Sequence, residues 1–194
     1  MNTSVSDVGI VLRRKSFSEA DLLLTILSKE NGKIVVLAKG SRKIKSKFMG
    51  HFEPFCLVKF SCIKGRSFFI MTSLETLDSH FSSKENPESI KIYSYISEVV
   101  DALTPELEKN EILFLKMKDY LNTKDISRVS VVSFLFSILE TSGFAPQILK
   151  CSKCGKDETV LEHFSFYWGG LVCPECSVGS SSKKIKKDTI KFLK

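Results

Sequence analysis

The sequence predicts an α+β protein in which an N-terminal OB-fold β-barrel is followed by an α-helical domain carrying a four-cysteine zinc module. Three observations predict it: five short β-type apolar runs broken by turn residues before residue 80, apolar residues at helical spacing over 86–142, and two CxxC pairs between residues 151 and 176. The corresponding division is 1–80 for the barrel, 81–150 for the helical domain, 151–176 for the zinc module and 177–194 for a basic C-terminal tail.

The first run is Val8-Gly9-Ile10-Val11-Leu12, ending at Arg13, and the second is Leu22-Leu23-Leu24-Thr25-Ile26-Leu27. Glu30-Asn31-Gly32-Lys33 follows. Asn-Gly is a strong hairpin signal because both residues tolerate positive φ, so residues 34–38 return as a third strand. Residues 55–63 alternate in part and make a fourth, Lys64-Gly65-Arg66 turns the chain, and residues 67–77 make a fifth. Five short antiparallel strands in about 75 residues suit a closed or nearly closed barrel such as an OB-fold. Another small barrel or a sandwich has the same periodicity.

Helical signals then take over. Asn86-Pro87-Glu88 reads as a cap, a first helical position and a dipole-favouring acid. Ile90, Tyr93, Ile96, Val99, Val100 and Leu103 recur at helical spacing after it. Thr104-Pro105-Glu106 starts a second helix by the same logic, with Leu107, Ile112, Leu115, Met117 and Leu121 as its apolar positions. Asp125 caps a third over residues 126–142, with Val129, Val132, Phe136 and Leu139 as core candidates. Gly143 and Pro146 end it. In the tail, residues 177–182 read as frayed, whereas Ile185, Ile190, Phe192 and Leu193 suit a short amphipathic helix.

The 194 residues are 43% hydrophobic and 26% charged, a mixture able to bury a core. No apolar run reaches the roughly 18 residues of a membrane-spanning helix, and the polar residues 1–7 lack the basic and apolar regions of a signal peptide. The expectation is a cytoplasmic protein with no membrane partner. A reducing compartment disfavours disulfides, so the six cysteines need another role. The net charge of +7 is uneven: residues 1–80 hold 13 Lys/Arg against 7 Asp/Glu, residues 81–150 hold 8 against 10, and residues 151–194 hold 8 against 5. A basic front and a basic end attract phosphate through counterion release, although many basic proteins bind no nucleic acid.

Cys151-x2-Cys154 and Cys173-x2-Cys176 are separated by 18 residues, a zinc-site spacing. Each CxxC turn lets two sulfurs converge on one ion, and two turns complete a tetrahedral shell of four thiolates. Such a shell keeps no open position for water, so one structural Zn2+ is expected rather than a catalytic one. A redox dithiol pair would show one CxxC beside a βαβ pattern, which is missing here. A zinc deaminase needs H-x-E before P-C-x-x-C; His51-Phe52-Glu53 matches formally, but Pro174 lies inside the second pair, so the match is read as chance. His163 is read as a surface or supporting residue. Cys56 and Cys62 lie about 20 Å apart along one strand and read as small buried hydrophobes.

Lys39-Gly40-Ser41-Arg42-Lys43-Ile44-Lys45-Ser46-Lys47 places five cations in nine residues between the third and fourth strands. Unpaired ammonium groups cannot be buried, so the loop projects into solvent, where it can neutralise phosphates. A merely solvated loop is the bland reading. An OB barrel, which binds strands across one face and its loops, favours the other. Arg13, Arg14 and Lys15 extend the patch; Phe48 and Phe52 read first as core or interface packing residues and are candidate stacking platforms besides.

At this point the residues resemble a known family. Gly9-Ile10-Val11-Leu12-Arg13, Ser18-Glu19-Ala20-Asp21, Asn31-Gly32-Lys33, Ala38-Lys39-Gly40-Ser41-Arg42 and Phe52-Glu53-Pro54-Phe55, in that order and spacing, look like the N-terminal domain of the bacterial recombination mediator RecO. The helical middle with its inserted four-cysteine module is similar too. The resemblance implies binding of single- and double-stranded DNA, strand annealing, partnership with RecR, recognition of the C-terminal tail of single-stranded DNA-binding protein, and help in loading RecA. It implies that Cys151, Cys154, Cys173 and Cys176 are zinc ligands. It also implies that Lys39, Arg42, Lys43, Lys45 and Lys47 belong to the DNA-binding segment, in a nucleoid-associated protein; Arg13 and Arg14 join the set of DNA-binding candidates as the extension of that patch. Family members continue with more helix after the second CxxC, whereas 18 residues follow Cys176 here, so a shortened helical domain is expected.

No nucleophile-plus-base pair, phosphate-cradling glycine motif or open metal site stands out, so no enzymatic activity is expected. Two other readings fit the same residues: a protein-interaction adaptor built on the zinc module and helices, and an RNA-binding OB-fold protein.

Overall fold

The five apolar runs pair into one sheet that closes on itself. In the computed structural model, which describes residues 4–43, 53–80, 86–123, 126–157, 160–178 and 181–193, the strands are β1 (Ser4–Ser16), β2 (Leu22–Ser28), β3 (Gly32–Ala38), β4 (Leu57–Lys64) and β5 (Phe69–Asp78). Their order around the barrel is β1-β2-β3-β5-β4, with β4 pairing back onto β1 from Ile10↔Leu57 to Ser4↔Ile63. This is the connectivity of an OB-fold. One pairing departs from the antiparallel expectation. β3 and β5 meet in parallel through Val36↔Phe69 and Leu37↔Ile70, the short seam that closes the barrel.

β1 runs past Arg13, where its apolar pattern stops. Arg13, Arg14, Lys15 and Ser16 remain paired with β2, from Arg13↔Thr25 to Ser16↔Leu22, beyond a bulge between Val11 and Arg13. Backbone pairing thus carries charged side chains out along a strand end, which apolar periodicity cannot detect. The barrel interior is filled by Ile26, Ile34, Val36, Val58, Phe60, Cys62 and Met71. Both Cys56 and Cys62 are buried in it, and burial pushes the Cys62 thiol up to about 11, as expected of a small hydrophobe.

The Asn-Gly turn is held from the neighbouring strand β1. The Asp7 carboxylate accepts hydrogen bonds from the Glu30 N–H (2.9 Å), the Asn31 N–H (3.2 Å) and the Asn31 amide (2.7 Å). Gly32 sits at φ 68°, and a Cβ there would lie 2.0 Å from the backbone oxygen of Glu108. Gly32→Ala therefore meets both left-handed strain and a backbone clash that no rotamer relieves. It should lower the stability of the barrel by about 3 kcal/mol or more in urea denaturation, and an unchanged midpoint would refute this account of the turn.

α1 (Pro87–Leu103) starts where the sequence places it, with the Asn86 side chain accepting from the Ser89 N–H at 2.7 Å. The second helix starts later than expected. Pro105 ends α1 at Thr104, whose hydroxyl bonds back to the Val100 carbonyl at 2.6 Å. Residues 105–110 then run beside the barrel, with the Leu107 N–H donating to the Lys33 carbonyl at 2.8 Å. α2 (Glu111–Asn122) begins only when Asn110 caps it. Leu107, Ile112 and Leu115 consequently lie exposed, while Leu113, Phe114, Met117, Tyr120 and Leu121 are buried.

α3 (Arg128–Thr141) is capped by Ser127 rather than Asp125, which lies outside the described residues. It buries Phe134 and Ile138 rather than Val129 and Val132. This helix is apolar on nearly every side, so its own spacing cannot select the inner face. The partner does: Phe134 stacks on Tyr120 with centroids 4.2 Å apart, Tyr120 meets Tyr93 edge-on, and Tyr93 tilts against Phe55. That aromatic chain ties the barrel corner to all three helices. The Lys33 ammonium adds an ion pair with Asp101 at 2.9 Å, largely shielded from solvent on the lysine side.

Residues 1–142 and 143–194 form two compact units. The second contains β6 (His163–Ser165), β7 (Gly170–Val172), α4 (Pro174–Ser177), β8 (Ser182–Lys184) and α5 (Lys187–Leu193), with sheet order β7-β6-β8. Ser182, read from sequence as frayed, instead begins β8, whose Lys183 pairs with Phe164. Ile190 of α5 is buried in the small core of this unit, whereas the side chains of Phe192 and Leu193 lie outside the described residues. Among the described residues no helix is long and apolar enough to cross a membrane.

Candidate nucleic-acid interface and metal centre

Barrel closure brings three loops to one end. The ends of β1, β3 and β4 and the starts of β2 and β5 meet there, as the pairs Ser16↔Leu22, Leu22↔Ala38 and Lys64↔Phe69 record. The β1–β2 loop (17–21) touches the β4–β5 loop (65–68) through Phe17 and Phe68, whose rings meet edge to face at 5.5 Å. The residues after β3 are fastened to the first loop. The Arg42 N–H donates to the Ala20 carbonyl and its guanidinium to the Ser18 carbonyl, both at 3.0 Å. The Gly40 N–H donates to Asp21 at 2.8 Å and holds that carboxyl below the usual carboxylate range, with Ser18, Lys39 and Lys43 acting in the same direction.

Lys15, Lys39, Arg42, Lys43, Lys64 and Arg66 are all exposed at this end. Among the described residues none of the six has an ion pair within 4.0 Å. Arg13 and Arg14 differ. The Arg13 guanidinium lies 4.0 Å from Asp101, and that of Arg14 donates to Glu53 at 2.7 Å. Both pairs are exposed enough to exchange for phosphate at small cost. Lys45 and Lys47, and with them His51, Phe48 and Phe52, lie outside the described residues.

A cleft of about 500 Å³ opens beside the loops, lined by Arg13, Lys15, Lys64, Arg66, Phe68 and Phe69 among others. Asp101 and Glu106 reach its far side, Asp101 already engaged by Lys33 and Arg13. The β4–β5 loop was absent from the sequence-based set of binding residues. Lys64-Gly65-Arg66 is legible as a turn, but nothing local says which other loops it joins.

The candidate metal centre is built by two turns. The first places Gly155 at φ 74° with its N–H on the Cys151 carbonyl at 2.9 Å. The second leads into α4, where the Ser177 N–H donates to the Cys173 carbonyl. The Ser152 N–H donates to the Leu171 carbonyl at 2.8 Å, joining the first turn to β7. Gly170 permits close approach, since a Cβ there would sit 2.3 Å from the Gln147 oxygen.

The Sγ atoms of Cys151, Cys154, Cys173 and Cys176 all lie within 4.8 Å of one another, with Cys154 and Cys173 4.0 Å apart. A tetrahedral ion with Zn–S bonds of about 2.3 Å needs sulfur separations of about 3.8 Å, whereas a disulfide needs about 2.05 Å. The donor set therefore fits a thiophilic four-coordinate cation. Burial raises the Cys151 thiol, but N–H groups of Cys154, Cys173 and Lys153 directed at it prevail and bring it down to about 6. Cys176, beside the Cys173 thiol, is pushed up to about 12. His163, half-buried in β6, is not among the clustered ligand atoms.

Two family models cover the chain: "Recombination protein O N terminal" matches residues 1–80 and "Recombination protein O C terminal" matches residues 84–194. The chain is 31% identical over 193 residues to the DNA repair protein RecO of Alkaliphilus metalliredigens, covering 95% of this chain and 77% of that protein. It is 29% identical over 191 residues to the protein of that name from a Thermoanaerobacter species, with coverage of 96% and 77%. A third such protein, from Pelotomaculum thermopropionicum, is 31% identical over 189 residues, with coverage of 96% and 74%.

Proposed function

Since this chain belongs to the RecO family of DNA repair proteins, we propose that it works as a recombination mediator through binding energy alone. The cationic barrel end holds the phosphates of single- and double-stranded DNA and presents one strand to its complement. RecR joins it in passing a strand to RecA, and the helical domain takes up the C-terminal tail of single-stranded DNA-binding protein. The DNA-binding residues are Arg13, Arg14, Lys39, Arg42, Lys43, Lys45 and Lys47, joined by Lys15, Lys64 and Arg66. Cys151, Cys154, Cys173 and Cys176 hold one structural zinc ion, which braces its module and takes no part in a bond-making step.

One observation carries the DNA-binding reading: exposed cations from three separate segments, the end of β1, the residues after β3 and the end of β4 with the turn that follows it, converge on one barrel end without ion-pair partners among the described residues. Convergence matters because each phosphate contact adds to counterion release, whereas the same charges scattered over the surface would not engage one strand.

The test is annealing of complementary oligonucleotides coated with single-stranded DNA-binding protein, followed with and without this chain. Faster duplex formation is expected. No acceleration, together with no electrophoretic shift of any nucleic acid at near-physiological salt, would favour the adaptor reading instead.

A further inference from the structure

The Phe17–Phe68 pair stands among these cations with no role in the barrel core. Phe17 is 53% exposed on a loop of five residues, and Phe68 is half-buried on the rim of the 500 Å³ cleft. An edge-to-face pair satisfies one ring face and leaves others open. Here the rings join the β1–β2 loop to the β4–β5 loop, and the latter lines the cleft together with Lys15 and Lys64. Exposed apolar residues are common and need no explanation when isolated. Two rings touching across separate loops, beside a cleft edged by cations, form a more specific arrangement.

We propose that Phe17 and Phe68 form a stacking platform for an unpaired nucleobase, adding to this end of the barrel a contact that a fully paired duplex cannot make. The proposal rests on the DNA-binding reading above and adds what that reading lacks, a reason to discriminate between strands. Phosphate contacts recognise any nucleic acid. A ring face is reached only by a base free of its partner, because in a duplex both faces of each base are covered by neighbours. Lys15, Lys64 and Arg66 lie where the flanking phosphates would pass, so stacking and charge act on the same strand.

Phe17→Leu separates this role from a purely structural one, since leucine keeps an apolar contact with Phe68 and removes the π face. Affinity for single-stranded DNA should fall roughly tenfold, with duplex affinity, melting temperature and the salt dependence of binding unchanged, and Phe17→Tyr should restore it. Because Trp168 is the chain's single tryptophan, Phe17→Trp in a Trp168→Phe background gives a direct reporter. Its emission should be quenched by single-stranded oligonucleotide and not by duplex.

Equal losses on both substrates, or no loss on either, would overturn the stacking platform, as would an unquenched reporter in a protein that binds DNA. Should the unaltered protein bind neither substrate, the DNA-binding reading itself fails. An outcome in which the protein binds DNA but Phe17→Leu changes nothing removes only the platform.

Discussion

Cys173→Ser is expected to abolish metal binding and unfold residues 143–194, leaving the barrel and its helices intact. Cys173 is fully buried, and the core around it is small: Leu161, Leu171, Val172 and Ile190 are its other buried apolar members beside Cys151. So few residues cannot offset the conformational entropy of ordering the module. Structural zinc sites contribute apparent binding free energies of about 10–16 kcal/mol to folding in comparable small modules. Metal analysis should find one zinc per chain in the unaltered protein and none in the variant. Hydrogen exchange should show protection lost across β6 and β7 but kept in β1 to β5. A zinc-free variant that retains protection in β6 and β7 would show that side-chain packing alone holds the module.

The second large effect lies at the barrel end. Replacing Lys39, Lys43, Lys64 and Arg66 together by alanine should weaken single-strand binding by roughly 10² to 10³-fold near 0.1 M salt. It should also make the log–log salt slope about 2.8 less negative, at about 0.7 per lost phosphate contact. All four side chains are exposed, so the urea midpoint should hold. The salt slope separates this mechanism from a general loss of affinity. A weakened variant with an unaltered slope would mean that the cations act through structure rather than by neutralising phosphate. Restricting the replacement to Lys39 and Lys43 should produce about half the change in slope, because Lys64 and Arg66 stand at the same barrel end on another segment of the chain.

The two halves of the proposed interface differ in how readable they are. Lys39, Arg42 and Lys43 announce themselves as a cluster within a few residues. Lys64 and Arg66 are two ordinary turn cations until β4 returns beside β1 and β5 meets β3. Arg13 and Arg14 look like part of the same patch, yet their guanidinium groups face Asp101 and Glu53, partners 88 and 39 residues away. In the helices, Asn86 capped α1 as its local pattern requires, whereas Thr104-Pro105-Glu106 carried the same pattern and did not start a helix. The backbone there runs instead beside β3, through Leu107 and Lys33.

By itself, the sequence determined those features whose causes span a few residues: the Asn-Gly hairpin, the Asn86 cap, the succession of strands and helices, and the two CxxC turns. Tertiary structure alone decided which face of α3 turns inward, where α2 begins, and which loops share the barrel end. The physical reason is range. Caps, turns and ligand spacing are set by bonds between near neighbours along the chain, whereas a face or a cleft is chosen by packing between segments far apart in sequence. Phe134 against Tyr120 and Phe17 against Phe68 are such choices.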